Sequence, residues 1–214
     1  MALVTRLPFP VRQHLAALRA LLVLTAIVGI AYPLLITGIA QIAMPAQANG
    51  SLVHHAGAPV GSSLLGQPFV DAQGNPLPQW FQPRPSAAVD PSNSKDFGYN
   101  PLFSGGSNLG PSNPELIKKI DNRRAAIAAF DRVDPREVPP DALTASASGL
   151  DPDISPAYAY LQVNRVASAR GLDPTALRGL VTSHTHNRVL GFLGEPRVNV
   201  LELNLALDQL GGAR

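Results

Sequence analysis

The chain has 214 residues, no cysteine, 21 prolines, 18 glycines and a formal net charge of +2. Without cysteine there is no disulfide, no thiolate nucleophile and no cysteine-ligated zinc, and Pro and Gly that are numerous but not periodic exclude collagen and solenoid arrays. Residues 1–44 hold three arginines and no acid, whereas residues 45–214 hold 14 Lys plus Arg against 15 Asp plus Glu, which leaves the larger part near neutral at −1 and poorly suited to nucleic acid.

Residues 20–44 run 25 positions without a charge, and 12 of them are Leu, Ile or Val. As a helix they span roughly 37 Å, more than the ~30 Å hydrocarbon core. The apolar residues contribute roughly −4 to −7 kcal/mol on an insertion scale, enough to carry Gln41, Pro33, Gly29 and Gly38. Arg6, Arg12 and Arg19 flank one end only, so the positive-inside rule places the N-terminus in the cytoplasm and the rest outside it. Two other readings compete. Ala46-Gln47-Ala48 fits a signal-peptidase site, but the apolar run far exceeds the ~7–15 residues of a signal core. A buried core helix of this length without a polar face is rare. The expected layout is a cytoplasmic N-terminus (1–19), a transmembrane helix (20–44) with membrane lipid around it, a linker (45–60) and an extracytoplasmic domain (61–214).

Within that domain, Ser63-Leu64-Leu65-Gly66-Gln67-Pro68-Phe69-Val70 reads as a strand closed by the turn at 71–76, and Trp80-Phe81 as the start of another. Residues 82–114 are nearly all turn formers, and a structureless loop of that length inside a compact domain is functional or disordered. Four helices follow. Ser112-Asn113-Pro114-Glu115 is a capping box, with Leu116, Ile120, Ile127 and Phe130 at helical spacing. Ser155-Pro156 opens a helix that Gly171 ends, carrying Tyr158, Leu161 and Val166. Asp173-Pro174 opens the next, with a stripe of Leu177, Leu180, Val181 and His184; the last runs from Asn199 to Leu210 with Val200, Leu203, Leu207 and Leu210 inward. The expected fold is α+β, a small sheet packed against about four helices.

Candidate chemistry is sparse. Gly105-Gly106 with Ser104 and Ser107 could form an anion-binding nest, but no phosphate-loop lysine motif accompanies it, and a plain turn is the simpler reading. Asp151 and Asp153 suggest a carboxylate pair, or else turn acceptors ahead of the Ser155 cap. His184 and His186 point apart on a helix and suit no shared metal; His54-His55 falls in the linker. No nucleophile context for a serine hydrolase occurs.

Five stretches then stand out in order: Leu64-Leu65-Gly66-Gln67-Pro68-Phe69, Phe81-Gln82-Pro83-Arg84-Pro85-Ser86-Ala87, Ser104-Gly105-Gly106-Ser107-Asn108-Leu109-Gly110-Pro111, Leu143-Thr144-Ala145-Ser146-Ala147-Ser148-Gly149-Leu150-Asp151-Pro152 and Gly194-Glu195-Pro196-Arg197-Val198-Asn199-Val200-Leu201. Together they resemble the KdpC family, the C subunit of the Kdp high-affinity potassium-transporting ATPase, over the anchor and essentially the whole outer domain. The resemblance implies a non-catalytic accessory subunit in the bacterial inner membrane, beside the potassium-translocating KdpA, the P-type ATPase KdpB and the small KdpF. It also implies a catalytic-chaperone role that raises the ATP affinity of KdpB, with ATP as cofactor through the complex. By the same resemblance Ser104, Gly105, Gly106, Ser107 and Asn108 belong to a transporter signature loop and are the candidate nucleotide contacts; no catalytic or metal-binding residue is implied. The charge asymmetry puts residues 104–107 across the membrane from cytosolic ATP, which favours a structural role at the extracellular mouth of the potassium path. The alternatives are an anchored binding or assembly module of an unrelated complex and an anchored hydrolase.

Overall fold

The computed structural model describes residues 8–211, so Arg6 of the basic flank lies outside it. Phe9–Ala43 forms one 35-residue helix, α1, long and apolar enough to cross a membrane and with its apolar window wholly unburied. It begins earlier than residue 20 because Pro10 sits in its first turn, where a fixed φ favours helix and a missing N–H costs nothing. The turns bearing Arg12 and Arg19 thus prolong the helix beyond the charge-free run. Its middle, Thr25–Ala31, is wound as a π-helix. Pro33 explains this: it offers no N–H to the Gly29 carbonyl and its ring crowds that carbonyl, so the backbone widens and Tyr32 N–H donates to the Ile27 carbonyl, five residues back. Met44 leaves the helix at φ −142° and ψ 61°, and one short turn, Pro45–Ala48, follows. The Gln41 and Asn49 side-chain amides pair reciprocally at 3.2 and 3.0 Å, which uses the one strongly polar group of the expected span.

The chain divides between Ser51 and Leu52 into two compact units. The second opens with an antiparallel hairpin, β1 (Leu52–His55) and β2 (Ala58–Ser62), where a linker was expected. Ala56 and Gly57, with φ of 50° and 83°, make its two-residue turn. Small residues and Pro59 had hidden the strand pattern. The expected strand at 63–70 does not form: among the described residues this stretch contributes only an isolated bridge, Val70 to Pro76. Its backbone is used elsewhere, as Gly66 N–H donates to the Leu150 carbonyl at 2.9 Å. The following turn is present, with Asp71 accepting from the N–H groups of Gln73 and Asn75.

Four helices come next, α2 (Pro114–Asp131), α3 (Pro156–Arg170), α4 (Pro174–Ser183) and α5 (Val200–Gln209). Each N-cap side chain, Asn113, Ser155, Asp173 and Asn199, accepts a backbone N–H of the first turn. The expected capping box is not made: the cap is Asn113, not Ser112, which puts Glu115 at the second helical position, where its side chain pairs with Lys119 at 2.7 Å. A second sheet has the order β3-β5-β4, formed by Asp153–Ile154, Arg197–Asn199 and Thr185–His186, all antiparallel. The architecture is therefore α+β, with two small sheets rather than one.

The core centres on α3. Ala159, Val163, Val166 and Ala167 pack with Leu177 and Val181 of α4, with Val200, Leu203 and Leu207 of α5, and with Phe81 from the long loop. At about 1.5–3 kcal/mol per fully buried large aliphatic or aromatic side chain, this cluster is the main source of stability in a domain without disulfides. Two expected inward residues are not core. Leu210 follows the end of α5 and is half exposed, and His184 caps α4 rather than extending its stripe.

Candidate functional site

Residues 78–113 carry no strand and only one short 3-10 turn, Pro101–Phe103. A buried backbone still needs partners. Here side chains from distant helices supply them. Asn204 of α5 accepts Phe81 N–H and donates to the Phe81 carbonyl, both at 2.9 Å. Gln162 of α3 does the same for Gln82, at 2.7 and 3.1 Å. Each carboxamide thus stands in for one residue of a neighbouring strand.

Two arginines of α3 complete the clamp. Arg165 donates to the carbonyls of Pro78 and Trp80 at 2.6 and 2.9 Å, to Gln162 at 2.6 Å, and to Asp131 at 2.7 Å, with its guanidinium over the Phe130 ring. Burial pushes the Asp131 carboxyl up, against the pull of Arg165. Arg170, fully buried, lies 4.2 Å from the Trp80 ring centre and donates to the Gln79 carbonyl at 2.9 Å.

Beyond the clamp, three of the sequence stretches singled out above meet. Ser86 Oγ accepts from Ala88 and Tyr99 N–H and donates to the Gly149 carbonyl. Arg84 pairs with Asp151 at 2.7 Å, and the Tyr99 hydroxyl donates to the Arg84 carbonyl. Burial raises the Tyr99 and Tyr158 phenols well above their ordinary value, so both stay protonated. Gly105 N–H donates to the Ser148 carbonyl at 2.8 Å, and Ser104 Oγ reaches the same oxygen at 3.1 Å. Gly149, at φ +68°, sits where an added Cβ would lie 2.7 Å from Ala88 N and 2.8 Å from the Gly105 carbonyl. Only glycine lets the three segments approach this closely.

The five candidate contacts therefore fall on one strip without regular secondary structure, in which Asn108 takes a left-handed φ of 51°. Neither Gly105 nor Gly106 has positive φ, and the Gly105 N–H is engaged, so these two residues form neither the expected turn nor a nest. Ser104, Ser107 and Asn108 are exposed, while Gly106 backs onto Ala147, whose carbonyl lies 3.1 Å from where a Cβ would be. Asp151 and Asp153 are not a free pair: Asp151 holds Arg84 and accepts Asp153 N–H, and Asp153 pairs with Arg197 at 2.9 Å. His184 meets the Leu180 carbonyl, His186 faces Glu202 at 3.9 Å, and His55 lies 3.4 Å from Asp208. Among the described residues no group of three or more His, Asp or Glu is placed to hold a metal ion.

A cavity of about 410 Å³ opens beside the clamp, walled by Pro68, Pro83, Phe97, Tyr99 and Tyr158 with Arg84 and Arg123 at its edge. Both arginines are committed, Arg84 to Asp151 and Arg123 to the Leu143 carbonyl. Sequence reasoning had missed Gln162, Asn204, Arg165 and Arg170. A helix whose buried face carries Gln and two Arg departs from the apolar stripe, and that departure was the available signal.

Residues 14–209 match the family described as KdpC, the c chain of the K+-transporting ATPase. The chain belongs to the KdpC family. It is 54% identical to the potassium-transporting ATPase KdpC subunit of Kineococcus radiotolerans over 92% of this chain and 93% of that protein. The KdpC subunit of Streptomyces coelicolor is 46% identical over 96% of each chain, and that of Geobacter sulfurreducens 50% identical over 91% of this chain and 96% of its own. The KdpC match thus covers α1 from residue 14 onward and nearly all of the second unit.

Proposed function

We propose that this chain is an accessory, non-catalytic subunit of an ATP-driven potassium-uptake complex, anchored by α1 with its N-terminus in the cytoplasm and its second unit on the opposite side. Its similarity to potassium-transporting ATPase subunits over nearly its whole length carries this reading. The one-sided arginines support the orientation. Its partners are then KdpA, KdpB and KdpF. ATP is the substrate of the complex through KdpB, and the chain acts by holding the assembly and shaping its outer face.

Within that role, residues 104–108 touch a partner subunit or the ion path rather than a nucleotide. The Gly105 N–H is already used, the segment carries no lysine or arginine, and the surrounding unit is near neutral, all of which suit a protein surface better than a polyphosphate. Gly106→Val in the assembled complex tests this, because the new side chain presses on Ala147 and pushes the strip outward. The expected result is weaker subunit retention or an altered potassium response at unchanged ATP affinity. An intact complex with normal potassium response and a markedly weaker ATP affinity would instead favour the chaperone account.

A further inference from the structure

The cavity beside the clamp is lined by polar groups that the fold leaves unused, and these are hydrogen-bond donors. Tyr158, 3% exposed, lines it with a phenol that has no hydrogen-bond partner among the described residues. Its oxygen is not fully enclosed, so a molecule in the cavity can reach it. A hydroxyl on so buried a side chain ordinarily has a partner. Arg84 donates from Nη1 to Asp151 and from Nη2 to the Thr144 carbonyl at 3.3 Å, while its Nε is buried without an acceptor. Arg123 donates from Nη1 to the Leu143 carbonyl at 2.8 Å and pairs with no carboxylate among the described residues. Burial alone draws the Arg123 guanidinium below its ordinary value, and no acid opposes it.

We propose that this cavity binds a small organic monoanion, an apolar or aromatic body ending in a carboxylate that Arg123 and the Tyr158 hydroxyl hold. No Asp or Glu lines the cavity. The neighbouring acids are engaged: Asp151 with Arg84, Asp131 with Arg165, and Asp141 with the N–H and hydroxyl of Ser155. Asp71 and Asp96 accept from Asn75 and Asn100 within their own turns, and neither acts on Arg123. Lys119 and Arg124 of α2 are paired with Glu115 and Asp121. One uncompensated positive charge therefore remains in the lining, which matches a carboxylate and falls short of a phosphate ester or polyphosphate with two or more charges. The rest of the wall, including Pro68, Pro76, Pro83, Phe97 and Phe130, suits an apolar body and offers nothing to a fully polar one. A volume of about 410 Å³ falls in the range of small-molecule sites.

The test is calorimetric titration of the full chain in nanodiscs, against empty nanodiscs as blank, at neutral pH. Phenylacetate and 4-methylpentanoate are the probes, and phenylacetamide and inorganic phosphate the controls. At least one carboxylate should bind saturably at millimolar concentration or below, with the neutral amide and phosphate each about tenfold weaker or more, because a hydrogen bond to a charged group is the stronger kind. Arg123→Gln and Tyr158→Phe should each weaken the carboxylate about tenfold. Tyr158→Phe keeps the ring in the core and removes an oxygen without a protein partner, so its thermal midpoint should equal that of the unaltered chain. That separates lost binding from lost fold. Failure of both carboxylates to saturate overturns the proposal, as does an amide or phosphate that binds as tightly as the acid. Unaltered affinity in either variant overturns it too, and a lowered midpoint in Tyr158→Phe would assign the hydroxyl to the fold instead of to a ligand.

Discussion

Helix α1 and the segment around Phe81 meet the same requirement, a partner for every sequestered backbone group, by opposite routes. In α1 the groups are satisfied within four or five residues, and even Pro33 is absorbed locally by the π-helical Thr25–Ala31 stretch. At Phe81 and Gln82 the partners are the carboxamides of Asn204 and Gln162, 123 and 80 residues away. One region is therefore robust to change elsewhere, and the other depends on residues that carry no sign of the task in their neighbourhood. The contrast also divides the roles: a self-sufficient helix suits an anchor, while a tertiary-built surface presents loops in a fixed shape.

The largest expected effect comes from Arg165→Met, which strips Asp131 of its partner, leaves the Pro78 carbonyl unanswered and leaves the Trp80 carbonyl only the long 3.5 Å bond from the Gln82 amide. Removing one member of a buried ion pair costs about 3–5 kcal/mol. Denaturant unfolding of the detergent-solubilised chain, followed by fluorescence of its single tryptophan, Trp80, reads this directly. A loss below about 1 kcal/mol would mean the clamp is decorative. Asn204→Leu should come next. It orphans one N–H and one C=O at about 1–3 kcal/mol each, without touching α1, whose resistance to proteolysis should be unchanged.

The smallest effect concerns pH. Burial raises the Asp153 carboxyl despite the nearby Arg197, so the folded chain holds that proton more tightly than the unfolded one. Between the unfolded value near 3.8 and the raised folded value, folded molecules carry more protons, and stability attributable to this group falls as pH rises through that window. Asp153→Asn should flatten that part of a thermal-midpoint profile against pH. A profile of unchanged slope would assign the pH dependence to other carboxylates.

How much of this was legible in the sequence follows the same division. Helices α2 to α5 announced themselves through Asn113, Ser155, Asp173 and Asn199 and through stripes such as Leu177 and Val181, because caps and periodicity are local signals. The hairpin β1–β2 did not, since Ala56-Gly57 sits in a run of small residues that equally suits a linker. The stretch at 63–70 misled for the converse reason: its apolar residues fit a strand, yet Gly66 bonds to Leu150 instead of to a neighbouring strand. At the candidate site, residues 104–108 were singled out in the sequence, but the path of their backbone was not legible there. That path is set by Ser148 and by the close approach that Gly149 permits, both some forty positions downstream.

The reach from Phe81 to Asn204 has a consequence for how the molecule comes into being. A chain emerging N-terminus first exposes Phe81 and Gln82 long before α3 and α5 exist to receive them, and contacts of such separation form slowly. Until residue 204 arrives the proline-rich segment has no partner at Phe81, so α5 is the latch that holds it. Loss of α5 alone would leave the earlier segments intact in sequence but without the Asn204 carboxamide at Phe81, so the fixed shape of this loop depends on a helix made more than a hundred residues later.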